Sequence, residues 1–594
     1  MVPSGPFDVI ELEVIGLDRI TKSLLLEFQR NHELENLDEP DAFERLGIFC
    51  TVSRELGEEF SLDPLCVGGG QDLGIDGLAV IVNGSLVTSI DEVDDLYDAN
   101  RYIEARFVFV QTKAGRGFNA KEIGDFLWGV GEFFDEDSRA VVNDAIAQYR
   151  EIQARIYEHS AHFRRGKPAI ALYYVTTGRW LPDPNLTHRI ESGRRQLEGT
   201  NLFDDKEVKF HPVDADELYK LYQFTKNTIS AEFTFPQRVP MPEMEGVKEA
   251  YLGILPALEY LELVVDEAGM IRKSLFYDNV RDFQSYNPVN QGIQKTLRDS
   301  TARGRFAVLN NGVTIVAKAL RATGNKIFID DYQIVNGCQT THVLYDELES
   351  LTSGADDVLI PVRVICTTDE NVTNAIITAT NRQTEVREED LHALSTFQRK
   401  LETYFASFDN PYIKLYYERR SRQYASVPEV NRSRIITPST QIRAFASMFL
   451  DQPYRASRHF ATLLKQRGTR IFSEDHQLEP YYASALAAYK LEVLFRNQTL
   501  GSEYKPARYV LMMILRYLLA GPQMPPLTAN AMKAYTQPII ETLCNEQAAI
   551  QALRRSIAII DDVTASVPEG RLDRDTVRSQ EYTALAQEKV IARL

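Results

Sequence analysis

The chain contains little cysteine and no long apolar run. Its five cysteines are odd in number and widely scattered over 594 residues, which argues against a disulfide framework or a zinc site. They indicate reduced thiols, and we therefore expect a cytoplasmic protein. The most apolar segment, residues 509–520, is shorter than the roughly 20 residues of a membrane span and includes Arg516, so it predicts a buried helix and no membrane partner.

Several familiar motifs are also missing. No GxxxxGK[ST] loop and no GxSxG turn occurs, which argues against P-loop nucleotide hydrolysis and against a serine hydrolase of that type. The nine histidines lack metal-binding spacing. The N-terminus lacks a basic start followed by an apolar run, so a secretory signal is not expected.

The chain has an excess of acid, and that excess is unevenly distributed. The net charge is −18, and residues 1–150 alone hold 30 acidic and 12 basic residues. The rest of the chain is balanced, with 54 of each, but residues 411–470 hold 12 basic and 3 acidic residues. An acidic front suits a site that gathers divalent cations and does not favour tight, unassisted binding to DNA. Acidic proteins are also simply soluble, which is the alternative explanation.

Apolar periodicity divides the chain into three units. Helical spacing over residues 18–60, with Asp41 as the predicted N-cap, precedes a glycine cluster, a strand turning at Asn83-Gly84 and a second strand. The acidic stretch between these strands, residues 91–98, is predicted to be a solvated insertion. Alternating helices and strands follow, and the proline-containing segment 236–246 predicts a boundary. We predict a mixed α/β protein with an α/β/α domain over 1–235, a mixed α/β domain over 247–460 and a helical region over 461–594.

One polar cluster in the first unit has the composition of a metal-dependent hydrolytic site. Asp76 begins one strand, and Gln111 and Lys113 end the next, so an antiparallel pairing can bring them to one edge. A carboxylate and an amide oxygen are ligands for Mg²⁺, and Lys113 can orient water or stabilise developing negative charge. Glu44 on the preceding helix can complete the site, although a solvated glutamate is an equally good interpretation. Asp72 is a spare carboxylate in the same loop.

This arrangement, GIDG followed by a strand that ends in QTK, resembles the PD-(D/E)xK nucleases, which have a restriction-endonuclease-like fold. It is most similar to their Mrr-like branch, in which Gln often replaces the second acid. The resemblance covers about residues 20–230 and implies that Asp76, Gln111, Lys113 and Glu44 are catalytic, with Mg²⁺ or Mn²⁺ held by Asp76, Gln111 and Glu44. The chain departs from the family in lacking a PD dipeptide and in the long separation between Asp76 and Gln111.

A second polar cluster is rich in amides. Asn310-Asn311-Gly312, Asp331 with Gln333, the run 336–341 and Asn381-Arg382-Gln383 lie on or beside short apolar strands. Amides both donate and accept hydrogen bonds, so such a surface suits a cleft for a nucleotide or nucleic acid. An internal polar network is the alternative. The predicted ligand-binding residues here are Asn311, Asn336, Gln339, Asn381 and Arg382.

The same stretch resembles the AIPR family, named for abortive infection phage resistance. The matching segments are LNNGVTIVAKAL, YQIVNGCQTTHVLY, PVRVI and ATNRQTEVREEDL, within about residues 250–460. The resemblance implies a role in bacterial antiphage defence, in which some members carry a nuclease-like N-terminal domain.

The basic segment mixes arginine with tyrosine, most densely in KLYYERRSRQY over residues 414–424. Arginines interleaved with aromatic residues fit phosphate contacts and base stacking, which makes Arg419, Arg420 and Arg422 candidate nucleic-acid contacts. The alternative is a face that pairs with the acidic front, within the chain or across a dimer.

Two functional hypotheses follow. The first is a Mg²⁺-dependent endonuclease of antiphage defence, for which DNA is favoured over RNA as the substrate, whose AIPR domain recognises nucleic acid or a phage-derived trigger. The second is a non-cleaving sensor of nucleic acid or nucleotide with a degenerate nuclease fold, and Lys113 turned away from Asp76 would favour it. A homodimer is expected because many such nucleases pair to cut both strands.

Overall fold

The structure is a computed structural model of the chain, and it describes most of residues 17–594. The segments outside the described part are residues 1–16, 57–58, 116, 165, 205–206, 227–228, 266–270, 273–274, 277–287, 349–356, 382–387, 420–422, 425–426, 428, 568–569 and 571.

A mixed sheet organises the N-terminal unit. Its strands are β1 Gly77–Val82, β2 Ser85–Val87, β3 Ala105–Lys113, β4 Ala169–Thr176 and β5 Val208–Val213, in the order β2-β1-β3-β4-β5. β1 pairs antiparallel with β2 and β3, whereas β3, β4 and β5 run parallel. The β1–β2 turn is made by Asn83 and Gly84, both with positive φ, as the Asn-Gly pair predicts.

Helices cover both faces of this sheet. They are α1 Arg19–His32, α2 Glu39–Glu55, α3 Ile90–Asn100, α4 Ala120–Phe134, α5 Asp144–Glu158, α6 Pro184–Glu198 and α7 Ala215–Lys226. One face packs against α1, α2 and α7, and the other packs against α4, α5 and α6. Along β3, Val108 faces the first layer, whereas Phe107 and Phe109 face the second. The result is an α/β/α layer, because alternate residues of a strand point to opposite faces.

The start of α2 differs from the prediction. The N-cap is Asp38, whose side chain accepts a hydrogen bond from the amide of Asp41, and Pro40 lies in the first turn. Proline is favoured in the first turn of a helix because its missing N–H has no partner there. Asp41, predicted as the N-cap, is therefore already inside the helix.

A second sheet forms the central unit. Its strands are β6 Ser230–Thr234, β7 Gln237–Pro240, β8 Glu249–Pro256, β9 Val313–Thr323, β10 Lys326–Asn336 and β11 Leu359–Cys366, in the order β6-β10-β9-β11-β8-β7. The helices are α8 Ala257–Val264, α9 Pro288–Arg298, α10 Ser300–Arg303, α11 Phe306–Leu309, α12 Cys338–Leu348 and α13 Glu370–Asn381. Leucines and tyrosines of α8, α9 and α12 pack on the valines and isoleucines of one sheet face.

Because β6 pairs with β10 and β7 pairs with β8, the central unit begins near residue 230. The predicted boundary at 236–246 is therefore displaced, since part of that segment is an edge strand. Proline is compatible with such a strand because an edge strand does not need every N–H for pairing.

The C-terminal body is helical. It contains α14 Glu388–Ala406, the short strands β12 Tyr416–Tyr417 and β13 Ile435–Ile436, and the helices α15 Pro438–Phe449, α16 Pro453–Arg458, α17 Phe460–Leu464, α18 Glu479–Arg496, α19 Arg508–Ala520, α20 Ala531–Cys544, α21 Glu546–Thr564, α22 Arg574–Val577 and α23 Gln580–Ile591.

A single hydrophobic core runs through this body, from Phe397 to Val590, so the predicted division at residue 460 does not separate two cores. The apolar segment around Arg516 forms α19, as predicted, and its arginine is fully buried with an ion pair to Asp451 at 2.7 Å. Among the described helices, none combines the length and apolarity that crossing a membrane requires. The predicted fold class, mixed α/β with a helical C-terminal region, is confirmed.

Candidate active site

The structure brings Asp76 to the end of β3. Asp76 precedes β1, and the antiparallel register pairs Gly77 with Val110. The Asp76 Oδ2 atom accepts hydrogen bonds from Gln111 Nε2 at 2.7 Å, from the Thr112 amide at 2.6 Å and from Thr112 Oγ1 at 2.8 Å. Burial raises the pKa of Asp76, and the hydrogen bonds from Thr112 and the charge of Lys113 oppose that rise.

The Gln111 side chain is buried at the end of β3, on the sheet face that α4 covers. Its Nε2 atom bonds Asp76, which leaves Oε1, the atom predicted to bind a metal, next to the loop at Gly74. A Cβ on Gly74 would lie 3.5 Å from that oxygen, so the loop closes directly over the amide. Gly74 also has a φ of +71°, a conformation that glycine adopts at little cost.

Lys113 is the last residue of β3 and its side chain is exposed. Residues two apart on a strand share a face, so Lys113 lies on the same side as Gln111. The charge of Lys113 is among the influences that lower the pKa of Asp76.

Glu44 projects from α2 toward the same carboxylate. A Cβ on Gly68 would lie 3.1 Å from Glu44 Oε1 and 3.6 Å from the Asp76 Cα, so Gly68 separates the two acids. The pKa of Glu44 is raised to about 7, mainly by burial and then by the negative charges of Asp76 and Asp41. A crowded, partly desolvated pair of acids is an environment in which a bound cation is favourable.

These side chains fit a divalent cation that retains part of its water shell. The described residues contain no cluster of three or more His, Cys, Asp or Glu side chains placed to hold a metal. The candidate protein ligands are Asp76, Glu44 and the Gln111 amide, whose oxygen is turned toward Gly74 in this structure. Mg²⁺ in proteins commonly uses one or two carboxylates, keeps several waters and takes the remaining ligands from phosphate. The donor set therefore suits Mg²⁺ or Mn²⁺ better than zinc.

Two further residues, Glu122 and Tyr174, lie beside Gln111 and were not predicted from the sequence. Glu122 on α4 accepts a hydrogen bond from Tyr174 Oη at 2.7 Å, and Tyr174 is the register partner of Gln111 on β4. Burial and the charges of Glu122 and Asp76 raise the pKa of Tyr174 above its ordinary value. No local pattern singles out Glu122, because its proximity depends on how α4 packs across the sheet.

Replacing Glu44 with glutamine should stabilise the metal-free protein at pH 8 and leave it almost unchanged at pH 4. The folded-state pKa of about 7 exceeds the ordinary 4.5, so the penalty for ionising Glu44 grows as the pH rises from 4.5 through 7. With allowance for partial solvent access, the gain in unfolding free energy at pH 8 is about 1–3 kcal/mol.

Urea unfolding in EDTA at the two pH values would measure this change. Glu191→Gln, at an exposed position of α6, is the matched control and should change stability little at either pH. An equal gain from Glu44→Gln at both pH values would contradict the prediction.

The amide cluster of the central unit is partly a structural network. The Asn310 Oδ1 atom accepts hydrogen bonds from the Gly312 amide at 3.1 Å and from Thr340 Oγ1 at 3.2 Å, and Asn290 Nδ2 donates to Gln339 Oε1 at 2.7 Å. These bonds connect the start of β9 and the start of α12 to α9.

The other residues predicted in that cluster differ in their exposure and in their partners. Asn311 is exposed, and Asn336 is half-buried where β10 ends beside the start of β9. Asp331 instead pairs with Lys318. Asn381 ends α13, but its side chain and Arg382 lie outside the described residues. The structure thus brings Asn311, Asn336 and Gln339 to one end of the sheet, with Gln339 already engaged by Asn290.

The basic segment pairs with the acidic front. Arg434 Nε lies 2.6 Å from Glu33, Arg443 Nη2 lies 2.5 Å from Glu92, and Arg458 Nε lies 3.1 Å from Asp91. Arg432 also bonds Glu59, and Arg496 of α18 lies 3.8 Å from Asp63. The pairing alternative is therefore the arrangement found in this structure.

Two predictions about these charges need correction. Arg419 has a side chain that is only 3% exposed and bonds Glu402 at 2.9 Å, so it does not offer its guanidinium to a nucleic acid. Arg420 and Arg422 lie outside the described residues. The acidic stretch 91–98, predicted as a solvated insertion, belongs to α3, on which α17 and the arginines of the helical body dock.

One family model matches most of the second half of the chain. Residues 276–567 match the family model described as AIPR protein. Residues 276–567 are referred to as the AIPR region because of this similarity. The AIPR region includes the amide cluster and the basic segment and extends through most of the helical body, well beyond the predicted end at residue 460. Comparisons with curated proteins and with solved structures gave no match.

Proposed function

We propose that the protein is a metal-dependent endonuclease of bacterial antiphage defence that hydrolyses phosphodiester bonds, in DNA rather than RNA. The observation that carries the proposal is the convergence of Asp76, Gln111, Lys113 and Glu44 at one sheet edge of an α/β/α layer. The AIPR region supports the assignment to defence, since the family is named for abortive infection phage resistance.

Each residue of the site has a chemical role in this proposal. Asp76, Glu44 and the amide oxygen of Gln111 would hold Mg²⁺ or Mn²⁺, which supplies Lewis acidity at the attacked phosphate and an activated water when bound. Lys113 orients the water or stabilises the negative charge that develops on the phosphate oxygens. Its exposed side chain at the rim of the site is suited to meeting a phosphate that arrives from solvent.

The AIPR region would recognise nucleic acid or a phage-derived trigger. The arginines of the basic segment pair with the acidic N-terminal unit, so nucleic acid would have to displace them or bind elsewhere. The second candidate, a non-cleaving sensor of nucleic acid or nucleotide, is subject to the same competition, since it too must bind a polyanion. A homodimer in the cytoplasm would allow both strands of DNA to be cut.

Cleavage of supercoiled plasmid DNA and of single-stranded RNA by the purified protein tests the proposal. We expect cleavage of DNA with Mg²⁺ or Mn²⁺ and none with EDTA. Asp76→Asn should lower the rate about 100-fold or more, since a catalytic metal is worth several kcal/mol and each 1.4 kcal/mol is tenfold.

Asp98→Asn is the matched control, because Asp98 is exposed on α3 and should leave the rate unchanged. Cleavage that survives Asp76→Asn would contradict the assigned site. A wild-type protein that binds nucleic acid but neither binds metal nor cleaves the nucleic acid would support the sensor instead.

A further inference from the structure

Thr112, the residue between Gln111 and Lys113, contacts Asp76 through two donors. Its amide and its hydroxyl both donate to Asp76 Oδ2, at 2.6 and 2.8 Å, and Gln111 Nε2 is the third donor to that oxygen. No described residue donates to Asp76 Oδ1. Three donors on one oxygen fix the carboxylate plane and leave the other oxygen available to a ligand.

The methyl group of Thr112 faces the opposite way, toward α2. A Cβ on Gly47 would lie 2.8 Å from Thr112 Cγ2, so α2 meets β3 at van der Waals contact only because residue 47 has no side chain. Glu44 is one helical turn before Gly47, and residues three apart share a helix face. The contact between Gly47 and this methyl group is therefore one of those that fix the distance between the Glu44 backbone and the sheet, together with the contact of Ile48 with Gly77 of β1.

We propose that Thr112 is a positioning residue that fixes both carboxylates of the candidate site: its amide and hydroxyl hold Asp76, and its methyl group sets the position of the helix that carries Glu44. The proposal rests on the metal site of the proposed function. It assigns a role to the middle position of the QTK motif, which the motif itself leaves unspecified.

The hydroxyl contact can be tested by titrating Mn²⁺ alone into the full-length protein by calorimetry. Thr112→Val keeps the shape but removes the hydroxyl, and it should weaken Mn²⁺ binding about 10- to 100-fold, as loss of a group that orients a metal ligand does. Thr112→Ser retains the hydroxyl and should restore the Mn²⁺ affinity, which a purely structural effect of losing volume at this position would not predict.

The contact between Gly47 and the Thr112 methyl group can be tested by adding a methyl group at residue 47 and removing the one at residue 112. Gly47→Ala adds a Cβ that collides with the Thr112 methyl group, and it should weaken Mn²⁺ binding by displacing α2. The double variant Gly47→Ala/Thr112→Ser removes the colliding methyl group and should recover most of the affinity. A double variant no better than Gly47→Ala alone would overturn this half of the proposal.

The outcomes separate this proposal from the proposed function. Thr112→Val with wild-type Mn²⁺ affinity would overturn the role of the hydroxyl while leaving the metal site intact. A wild type that binds no Mn²⁺ would contradict the proposed function. A double-mutant cycle of Thr112→Val with Asp76→Asn, measured by thermal unfolding, would then decide the positioning role. Changes in unfolding free energy that are coupled would support a Thr112–Asp76 interaction, and changes that simply add would overturn it.

Discussion

Replacing Lys113 with methionine should lower metal-dependent cleavage about 100- to 1,000-fold, the effect of removing one charged group that stabilises a transition state. Methionine keeps most of the length and volume of lysine but lacks the ammonium group. Because Lys113 is exposed at the end of β3, the variant should fold normally, with a change in unfolding free energy of about 0.5 kcal/mol or less.

Metal binding should respond differently from cleavage. Lys113 is not a ligand, so Lys113→Met should still bind Mn²⁺ at pH 8. Since the charge of Lys113 lowers the pKa of Asp76, its loss should shift the acid limb of metal binding to higher pH. Single-turnover cleavage and calorimetry across pH 5–8 would measure the two effects.

Lys209→Met is the matched control for this variant. Lys209 is on β5 at the far edge of the sheet, where it pairs with Glu207, and its replacement should leave cleavage unchanged. If Lys113→Met and Lys209→Met cleave equally well, Lys113 has no catalytic role.

Replacing Gly129 with alanine should destabilise the N-terminal unit by about 3 kcal/mol, the upper range for inserting volume into a packed interior. A Cβ at this position of α4 would lie 1.8 Å from the carbonyl oxygen of Leu73 and 2.9 Å from its carbon. Leu73 has a φ of +59° in the loop that leads to Asp76, so the colliding atoms are backbone that cannot rotate away. Moving them displaces Gly74 from Gln111, and metal binding should be lost together with stability.

Gly131 provides a control on the same helix. A Cβ there would meet only the end of the Gln196 side chain, at 4.0 Å. Alanine is a better helix former than glycine, so Gly131→Ala should stabilise the unit by about 0.5–1 kcal/mol. Urea unfolding followed by far-UV circular dichroism would compare the two variants, and changes of the same sign and size would show that the loop does not pack against α4 as described.

The charge distribution gives the candidate endonuclease an internal constraint. The acidic front supplies the carboxylates of the candidate site and also the partners for arginines of the AIPR region. Partly exposed pairs of this kind are individually weak and are screened by salt. Several of them acting together nevertheless hold the helical body against α1 and α3, so a polyanion that binds the arginines would compete with the N-terminal unit for them.

The sequence by itself determined the parts of this protein that depend on local pattern. The apolar run that follows Asp76 and the one that ends in Gln111-Thr112-Lys113 predicted neighbouring strands, and the Asn83-Gly84 pair predicted the turn after the first of them. The motif segments predicted an AIPR resemblance within about residues 250–460, and the matched region extends beyond them to residue 567. Helical periodicity predicted the helical region over residues 461–594. These features follow from side-chain alternation and backbone propensity, which act over a few residues.

Only the tertiary structure decided which charges meet. The acidic residues of α3 were predicted to be solvated, and Arg419 was predicted to lie at the surface. In the structure the acids of α3 pair with arginines of the helical body, and Arg419 is buried against Glu402, because each partner comes from a distant element. The unit boundary near residue 230 and the undivided core from Phe397 to Val590 were likewise set by long-range pairing. Burial and ion pairing depend on residues far apart in the chain, so a pattern within a few neighbouring residues cannot predict them.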